Sequence, residues 1–185
     1  HALNIPELTI ITPAALQTEA ERVAQLHREE GLTVAVIEQE KIFNEFSSGT
    51  PDASAYRRLM KMFYDRAEGN ENVRPRYLLL FGDGSYNNRK SMEKLHSPEC
   101  NMLLTYQSKT SIDERESFVI EDYFGFLENN SGEEIKVDKV CLGIGRFPIS
   151  SIKNARLVVD KLYRYVHDKD FSSWKNNICI AADDG

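Results

Sequence analysis

Acidic side chains at predicted loop ends are the residues of this sequence whose types and spacing best suit ligand chemistry. Asp83 follows the apolar run 77–81, while Glu121 and Asp122 stand together in a long polar segment. Calcium binds carboxylate and backbone oxygens supplied by flexible loops, at about 2.3–2.6 Å. The pattern predicts a candidate calcium site formed by Asp83, Glu121 and Asp122. The competing interpretation, which needs no metal, is neutralisation by one of three arginines: Arg89, Arg115 or Arg146.

Residue type and spacing do not identify a cysteine nucleophile. Such a nucleophile requires a histidine partner, and Cys100 lies four residues after His96 in a polar loop, a weak signal by itself. Cys141 and Cys179 lie in apolar runs, the usual setting of a buried structural thiol. The spacing of the three cysteines matches no zinc pattern. Catalysis by thiolate attack is therefore not predicted from these residues.

Glycine spacing argues against a nucleotide site. A dinucleotide fingerprint requires G-x-G-x-x-G directly after the first strand, and no phosphate-cradling G-x-x-x-x-G-K-[ST] is present. Gly82-x-Gly84 and Gly143-x-Gly145 are each half of the first pattern and predict a sharp turn and close packing instead. A serine nucleophile elbow, G-x-S-x-G, is also absent from the sequence.

Apolar runs alternate with helical periods and indicate the scaffold that positions these residues. Strands are predicted near 7–11, 33–37, 77–81 and 140–144, and helices near 13–30, 52–68 and 151–167. A further apolar run occupies 178–182. The alternation predicts a three-layer α/β fold with a mostly parallel sheet, helices on both faces and a long irregular insertion. The insertion must pass over the carboxyl edge of the sheet, where Asp83 is expected and ligands usually bind.

Length and composition set the outer bounds. The 185 residues are 41% hydrophobic and 28% charged, which suits one globular domain. The net charge of −6 argues against nucleic acid as a partner. No apolar run approaches the roughly 18 residues of a membrane span, and the opening residues do not have the pattern of a signal peptide.

Several segments in a fixed order carry a family resemblance that covers nearly the whole chain. They are FSSGTPDASAYRRLMKMFYDRA, RYLLLFGDGSYNNR, TYQS, EDYFGFL, GIGRFPISSIKNARLVVDKLYRYV and WKNNICIAADDG. Together they resemble the gingipain-type cysteine peptidases, most closely the members that act as sortases in type IX protein secretion in Bacteroidetes. The combination of LLLFGDGSY, GIGRFP and ICIAADDG is specific, whereas each piece alone is not.

This resemblance implies a division of the chain and the absence of the catalytic pair. The family's catalytic histidine, in a Gly-His-Gly context, and its nucleophilic cysteine both follow the segment matched by WKNNICIAADDG, and this sequence contains no Gly-His-Gly. Residues 1–170 are then expected to form the amino-terminal α/β subdomain, and 171–185 to begin the caspase-like one. No residue here inherits a catalytic role. Asp183 and Asp184 are candidates for lining the cleft.

Two functions remain open at this stage. The resemblance implies a non-catalytic subdomain of a cysteine endopeptidase or sortase involved in proteolysis and type IX secretion. Its partners would be the remainder of its own catalytic domain, other secretion-system components and a polypeptide substrate, and its location the surface or outer membrane of a Gram-negative bacterium, or outside it. The alternative is a stand-alone flavodoxin-like domain that binds a ligand or partner without catalysis. A reading frame that continues past Gly185 into a Gly-His-Gly segment and a later cysteine separates the two.

Overall fold

A four-stranded parallel sheet forms the centre of the molecule. The computed structural model describes residues 4–88, 102–108, 110, 112–113, 115–134, 137–170 and 172–180. The strands are β1 (Leu8–Thr12), β2 (Val34–Glu38), β3 (Tyr77–Phe81) and β4 (Gly143–Phe147), in the order β2-β1-β3-β4. All three pairings are parallel. The predicted α/β class with a parallel sheet is confirmed.

Among the described residues, four helices cover the two faces of this sheet. They are α1 (Gln17–Glu29), α2 (Gln39–Phe46), α3 (Ser54–Arg66) and α4 (Ile152–His167). α1 and α4 share one hydrophobic cluster with one face of the sheet, and α2 and α3 share another with the opposite face. The remaining helical pieces are short 3-10 turns at Ala14–Leu16, Glu71–Val73, Asp122–Gly125 and Ser173–Asn176.

The apolar strands are buried because both sheet faces are covered. In β1, Ile10 belongs to the cluster on the α1 and α4 side, and Ile11 to the cluster on the α2 and α3 side; both are fully buried. β3 repeats the pattern with Leu80 and Phe81. Burying each such side chain contributes about 1.5–3 kcal/mol. The continuous apolar runs seen in the sequence are therefore those of central parallel strands.

Two predicted elements differ from the structure. The fourth strand was expected at 140–144, but β4 begins at Gly143, which pairs with Tyr77. The preceding apolar residues face the insertion instead: the amide of Cys141 donates to the carbonyl of Gly125. The apolar run at 178–182 is not a strand over its described part, since Ile178 and Ile180 are 89% and 84% exposed.

The eight-residue helix α2 was not predicted from the sequence. Its length is too short for a clear helical period, and it begins immediately after β2 with no capping side chain. Its buried face consists of Gln39, Ile42 and Phe43.

Within the described ranges, no helix is both long and apolar enough to cross a membrane.

Candidate functional site

An arginine one residue before the end of β4 lies at the carboxyl edge of the sheet, on the side formed by β3 and β4. Arg146 is only 11% exposed, and its Nε lies 2.8 Å from Oε1 of Glu121, whose side chain is 29% exposed. The Nη2 of Arg146 also donates to Oε2 of Glu121 at 3.3 Å. The pair is therefore bidentate, the strongest geometry for an arginine–carboxylate contact.

The same guanidinium also binds three backbone carbonyls from two separate parts of the chain. Its Nη1 donates to the carbonyls of Gly82 at 3.3 Å and Asp83 at 3.2 Å. Its Nη2 donates to the carbonyl of Leu104 at 3.1 Å. Together with the two bonds to Glu121, these contacts match the five N–H donors that an arginine carries. Arg146 thus joins the end of β3 to two points of the long insertion.

Gly84 is required by the close approach of this arginine. A Cβ added at Gly84 would lie 2.9 Å from Cγ2 of Thr105 and 3.3 Å from Cζ of Arg146. Thr105 in turn donates from Oγ1 to the carbonyl of Ser85 at 2.8 Å, and the side chain of Asn88 bonds both the amide and the carbonyl of Thr105. The sharp turn predicted at Gly82 to Gly84 therefore lies directly against Arg146 and Thr105 of the insertion, and glycine at position 84 leaves room for both side chains.

A buried polar network attaches the insertion to the two helices on that face. The hydroxyl of Tyr56 donates to Oε1 of Gln39 at 2.7 Å and accepts from the amide of Leu104 at 3.3 Å. The Nε2 of Gln39 donates to the carbonyl of Met102 at 2.9 Å. Gln39 is 2% exposed and Tyr56 is fully buried. Every polar group named here has a partner, as burial requires.

Arg57 of α3 fixes the later part of the insertion. Its Nε donates to the carbonyl of Phe126 at 2.7 Å, its Nη2 to that of Ser131 at 2.6 Å, and its Cζ lies 5.4 Å from the ring centroid of Tyr123. Tyr123 also stacks on Tyr106 with an interplanar angle of 5°. Burial raises the pKa of the Tyr123 phenol above its ordinary value, which the charge of Arg57 partly offsets.

The residues of the candidate calcium site have different surroundings. Glu121 is held by Arg146, as described, and Oδ1 of Asp83 accepts from the amide of Gly84 at 2.9 Å. Asp122 begins the 3-10 turn Asp122–Gly125. Among the described residues, no three or more His, Cys, Asp or Glu side chains are grouped closely enough to hold a metal ion. The calcium site stays a prediction. For the competing interpretation, the structure shows an arginine, Arg146, paired with one of the three carboxylates, Glu121.

The remaining predicted residues divide into those outside and those within the described ranges. Cys100, His96, Arg89, Asp183 and Asp184 lie outside them. Of the rest, Cys141 is half-buried, but Cys179 is exposed, so the prediction of a buried thiol is wrong for Cys179. Its described apolar neighbours, Ile178 and Ile180, are exposed as well.

The histidines within the described ranges take part in local contacts. The Nδ1 of His27 lies 2.9 Å from Oε2 of Glu30, and that of His167 lies 2.9 Å from the carbonyl of Tyr163. Both contacts lie within or at the end of the histidine's own helix. The positions of these two rings are therefore set by their own helices. The site around Arg146, in contrast, orders the backbone through hydrogen bonds to carbonyl groups.

Sequence reasoning named Arg146 only as one of three alternatives and missed Gln39. A signal existed for Arg146: it is the one charged residue in the segment GIGRF, where the rest of the strand is apolar or glycine. A charge inside a strand pattern has to be paired when the strand is buried. Gln39 gave no comparable signal, since a glutamine after a strand is most often solvated.

Comparisons with known proteins place the chain in a family. The model of peptidase family C25 matches residues 1–185. Among curated proteins, none matches significantly. A similar solved structure is that of dimeric latent PorU from Porphyromonas gingivalis, with a TM-score of 0.82 and 42% sequence identity over 98% of this chain. This chain spans 17% of that PorU chain. The chain therefore belongs to peptidase family C25, the gingipain family of cysteine peptidases.

Proposed function

We propose that this chain is a non-catalytic subdomain of a gingipain-like cysteine peptidase or sortase that acts in type IX protein secretion at the cell surface. One observation carries the proposal. Almost the whole chain matches a PorU chain, but it covers only 17% of that chain. In agreement with a partial match, the sequence has no Gly-His-Gly motif. In this proposal, residues 1–170 form the subdomain and 171–185 begin the caspase-like part that supplies the histidine and the cysteine.

The carboxyl edge of the sheet is the part of the chain suited to a supporting role. Arg146 binds the end of β3, the backbone at Leu104 and the carboxylate of Glu121 simultaneously. Catalysis requires reacting groups to be held in place by a rigid surrounding structure. We therefore assign this edge the task of supporting the cleft, with Asp183 and Asp184 as candidate lining residues and a polypeptide as substrate.

A peptidase assay with matched proteins tests the proposal. The isolated chain is expected to show no turnover on a panel of fluorogenic peptides, because its described histidines bond local groups. A longer protein from the same gene, continuing into a Gly-His-Gly segment and a later cysteine, is expected to cleave the same panel. Turnover by the isolated chain that is lost in Cys100→Ala would contradict the non-catalytic assignment.

A test in cells addresses the secretion role. Deleting the gene from the source organism is expected to leave secreted cargo with its carboxy-terminal signal uncleaved, and the full-length gene is expected to restore cleavage. Restoration by a copy whose downstream cysteine is changed to alanine would argue against the sortase assignment. The stand-alone binding domain is the function that remains if the gene ends at Gly185.

A further inference from the structure

The outer edge of the sheet presents unpaired backbone groups beside an apolar groove. β2 pairs with β1 alone among the described strands. The amide of Leu8 donates to the carbonyl of Thr33, and Leu8 is in register with Val34. Because bonding alternates along a parallel strand, the backbone groups of Ala35 and Ile37 face β1, and those of Val34 and Val36 face outward.

One end of this edge is already blocked. The Nη2 of Arg28 donates to the carbonyl of Val34 at 3.1 Å, which confirms that this carbonyl faces outward. With respect to the described residues, the amide of Val34 and both backbone groups of Val36 then remain as the outward donors and acceptor. An unpaired strand edge of this kind is a template for an added strand. The free length suits a short segment rather than a long ladder.

A cavity of about 450 Å³ opens beside these groups. Its walls include Ile42 and Phe46 of α2, Leu59 and Met62 of α3, and Val36 of β2 itself. Its volume lies within the roughly 300–1,000 Å³ typical of ligand sites. A strand added to β2 would direct alternate side chains toward the α2 and α3 side, where this cavity can receive an apolar one.

The charges at the rim favour an acidic occupant. Lys41 and Arg66 line the cavity together with one acid, Glu45. Lys41 is 65% exposed and makes a long contact of 3.4 Å with Glu38. Arg66 is exposed. We propose that the β2 edge and this cavity, together called the β2 groove, bind an extended peptide segment that carries apolar residues flanked by acidic ones.

A second copy of the chain fits the same surface less well. A two-fold pairing of β2 with β2 places the same patch on both sides of the interface. It would therefore bring Lys41 and Arg66 of one protomer toward the cations at the edge of the other. An acidic peptide meets those cations with opposite charge and requires no such repulsion.

Peptide binding to the full 185-residue chain tests the proposal through fluorescence anisotropy. The probe is a fluorescein-labelled peptide of sequence Asp-Val-Thr-Leu-Thr-Val-Asp. Two further probes carry N-methyl groups on alternate residues, one set along each edge of the extended peptide. Backbone pairing with β2 predicts that methylation of one edge abolishes binding, while methylation of the other changes affinity less than about twofold. Loss of binding with both methylated probes, or with neither, would overturn the strand-addition mode.

Charge-reversal variants test the choice of occupant. The double variant Lys41→Glu, Arg66→Glu is expected to weaken binding about fivefold, because two exposed ion pairs are lost. The matched control is Lys169→Glu, an exposed lysine outside the groove, and it should leave affinity unchanged. Equal weakening in the control would exclude specific charge recognition. A concentration-dependent dimer in sedimentation velocity that the acidic probe fails to dissociate would assign the groove to a second copy and overturn the proposal.

Discussion

Replacing Arg146 with methionine is expected to destabilise the folded chain strongly. Methionine keeps much of the side-chain volume but removes the charge and every hydrogen bond of the guanidinium. Glu121, at 29% exposure, would lose its bidentate partner, and the carbonyl of Leu104, a residue 2% exposed, would lose its donor. Removing one partner of a buried pair costs about 3–5 kcal/mol. Because Glu121 can partly rehydrate, we expect a loss of about 3 kcal/mol.

Urea unfolding measures this loss. With a slope of about 2 kcal/mol per molar urea, the midpoint of Arg146→Met should fall by about 1.5 M. Arg146→Lys retains the charge but not the planar fork, so it should recover only part of the difference. In a double-mutant cycle with Glu121→Gln, the coupling energy should be about 1–2 kcal/mol.

The matched control is Arg156→Met on α4. Its side chain is 67% exposed, and its partner Glu19 at 3.4 Å keeps a 2.7 Å contact with Arg22 when Arg156 is removed, so the loss of Arg156 should cost less than about 0.5 kcal/mol. If Arg146→Met costs no more than this control, the guanidinium does not organise the carboxyl edge. The reasoning from its five hydrogen bonds would then be refuted.

Three further predictions address the turn, the amino-terminal edge and the candidate ion. Gly84→Ala should lower the free energy of unfolding by about 1–3 kcal/mol in urea, because the new Cβ would lie 2.9 Å from Cγ2 of Thr105. An unchanged urea midpoint would show that the turn relaxes freely. Bonds from Thr33 and Arg76 lower the pKa of the Glu7 carboxyl below its ordinary value, so its contribution to stability is present at neutral pH and is lost as pH falls through the lowered pKa. The midpoint difference between wild type and Glu7→Gln should therefore shrink on acidification, and a constant difference would exclude this linkage. Calcium bound at Asp83, Glu121 and Asp122 would raise the melting temperature with the logarithm of free calcium. Equal melting temperatures in millimolar calcium and in excess chelator would exclude this calcium site.

The sequence predicted the central elements because their signals are local. β1, β2 and β3 lie within one residue of their predicted positions, and α4 starts one residue later than expected. Each has a strong apolar run or a clear helical period. The helix α4 also carries a local start signal, since Oγ of Ser151 accepts from the amide of Asn154. Such signals depend only on neighbours in sequence, so they can be recognised before the fold is known.

Long-range contacts decided what the sequence left open. The register of β4 was set by pairing between Gly143 and Tyr77, which no local pattern specifies. The short helix α2 is stabilised by the bond between Gln39 and Tyr56 across 17 residues, because a helix this short needs tertiary contacts to form.

The carboxyl edge shows the same division most clearly. From the sequence alone, either an ion or an arginine could neutralise Asp83, Glu121 and Asp122. Only the folded chain brings Arg146 to Glu121, which is 25 residues away, and to Leu104, which is 42 residues away. The sequence thus determined the family, the parallel sheet and the absence of a Gly-His-Gly motif, since these depend on local pattern. The tertiary structure determined which charges meet, because that depends on distances between residues that the chain order keeps far apart.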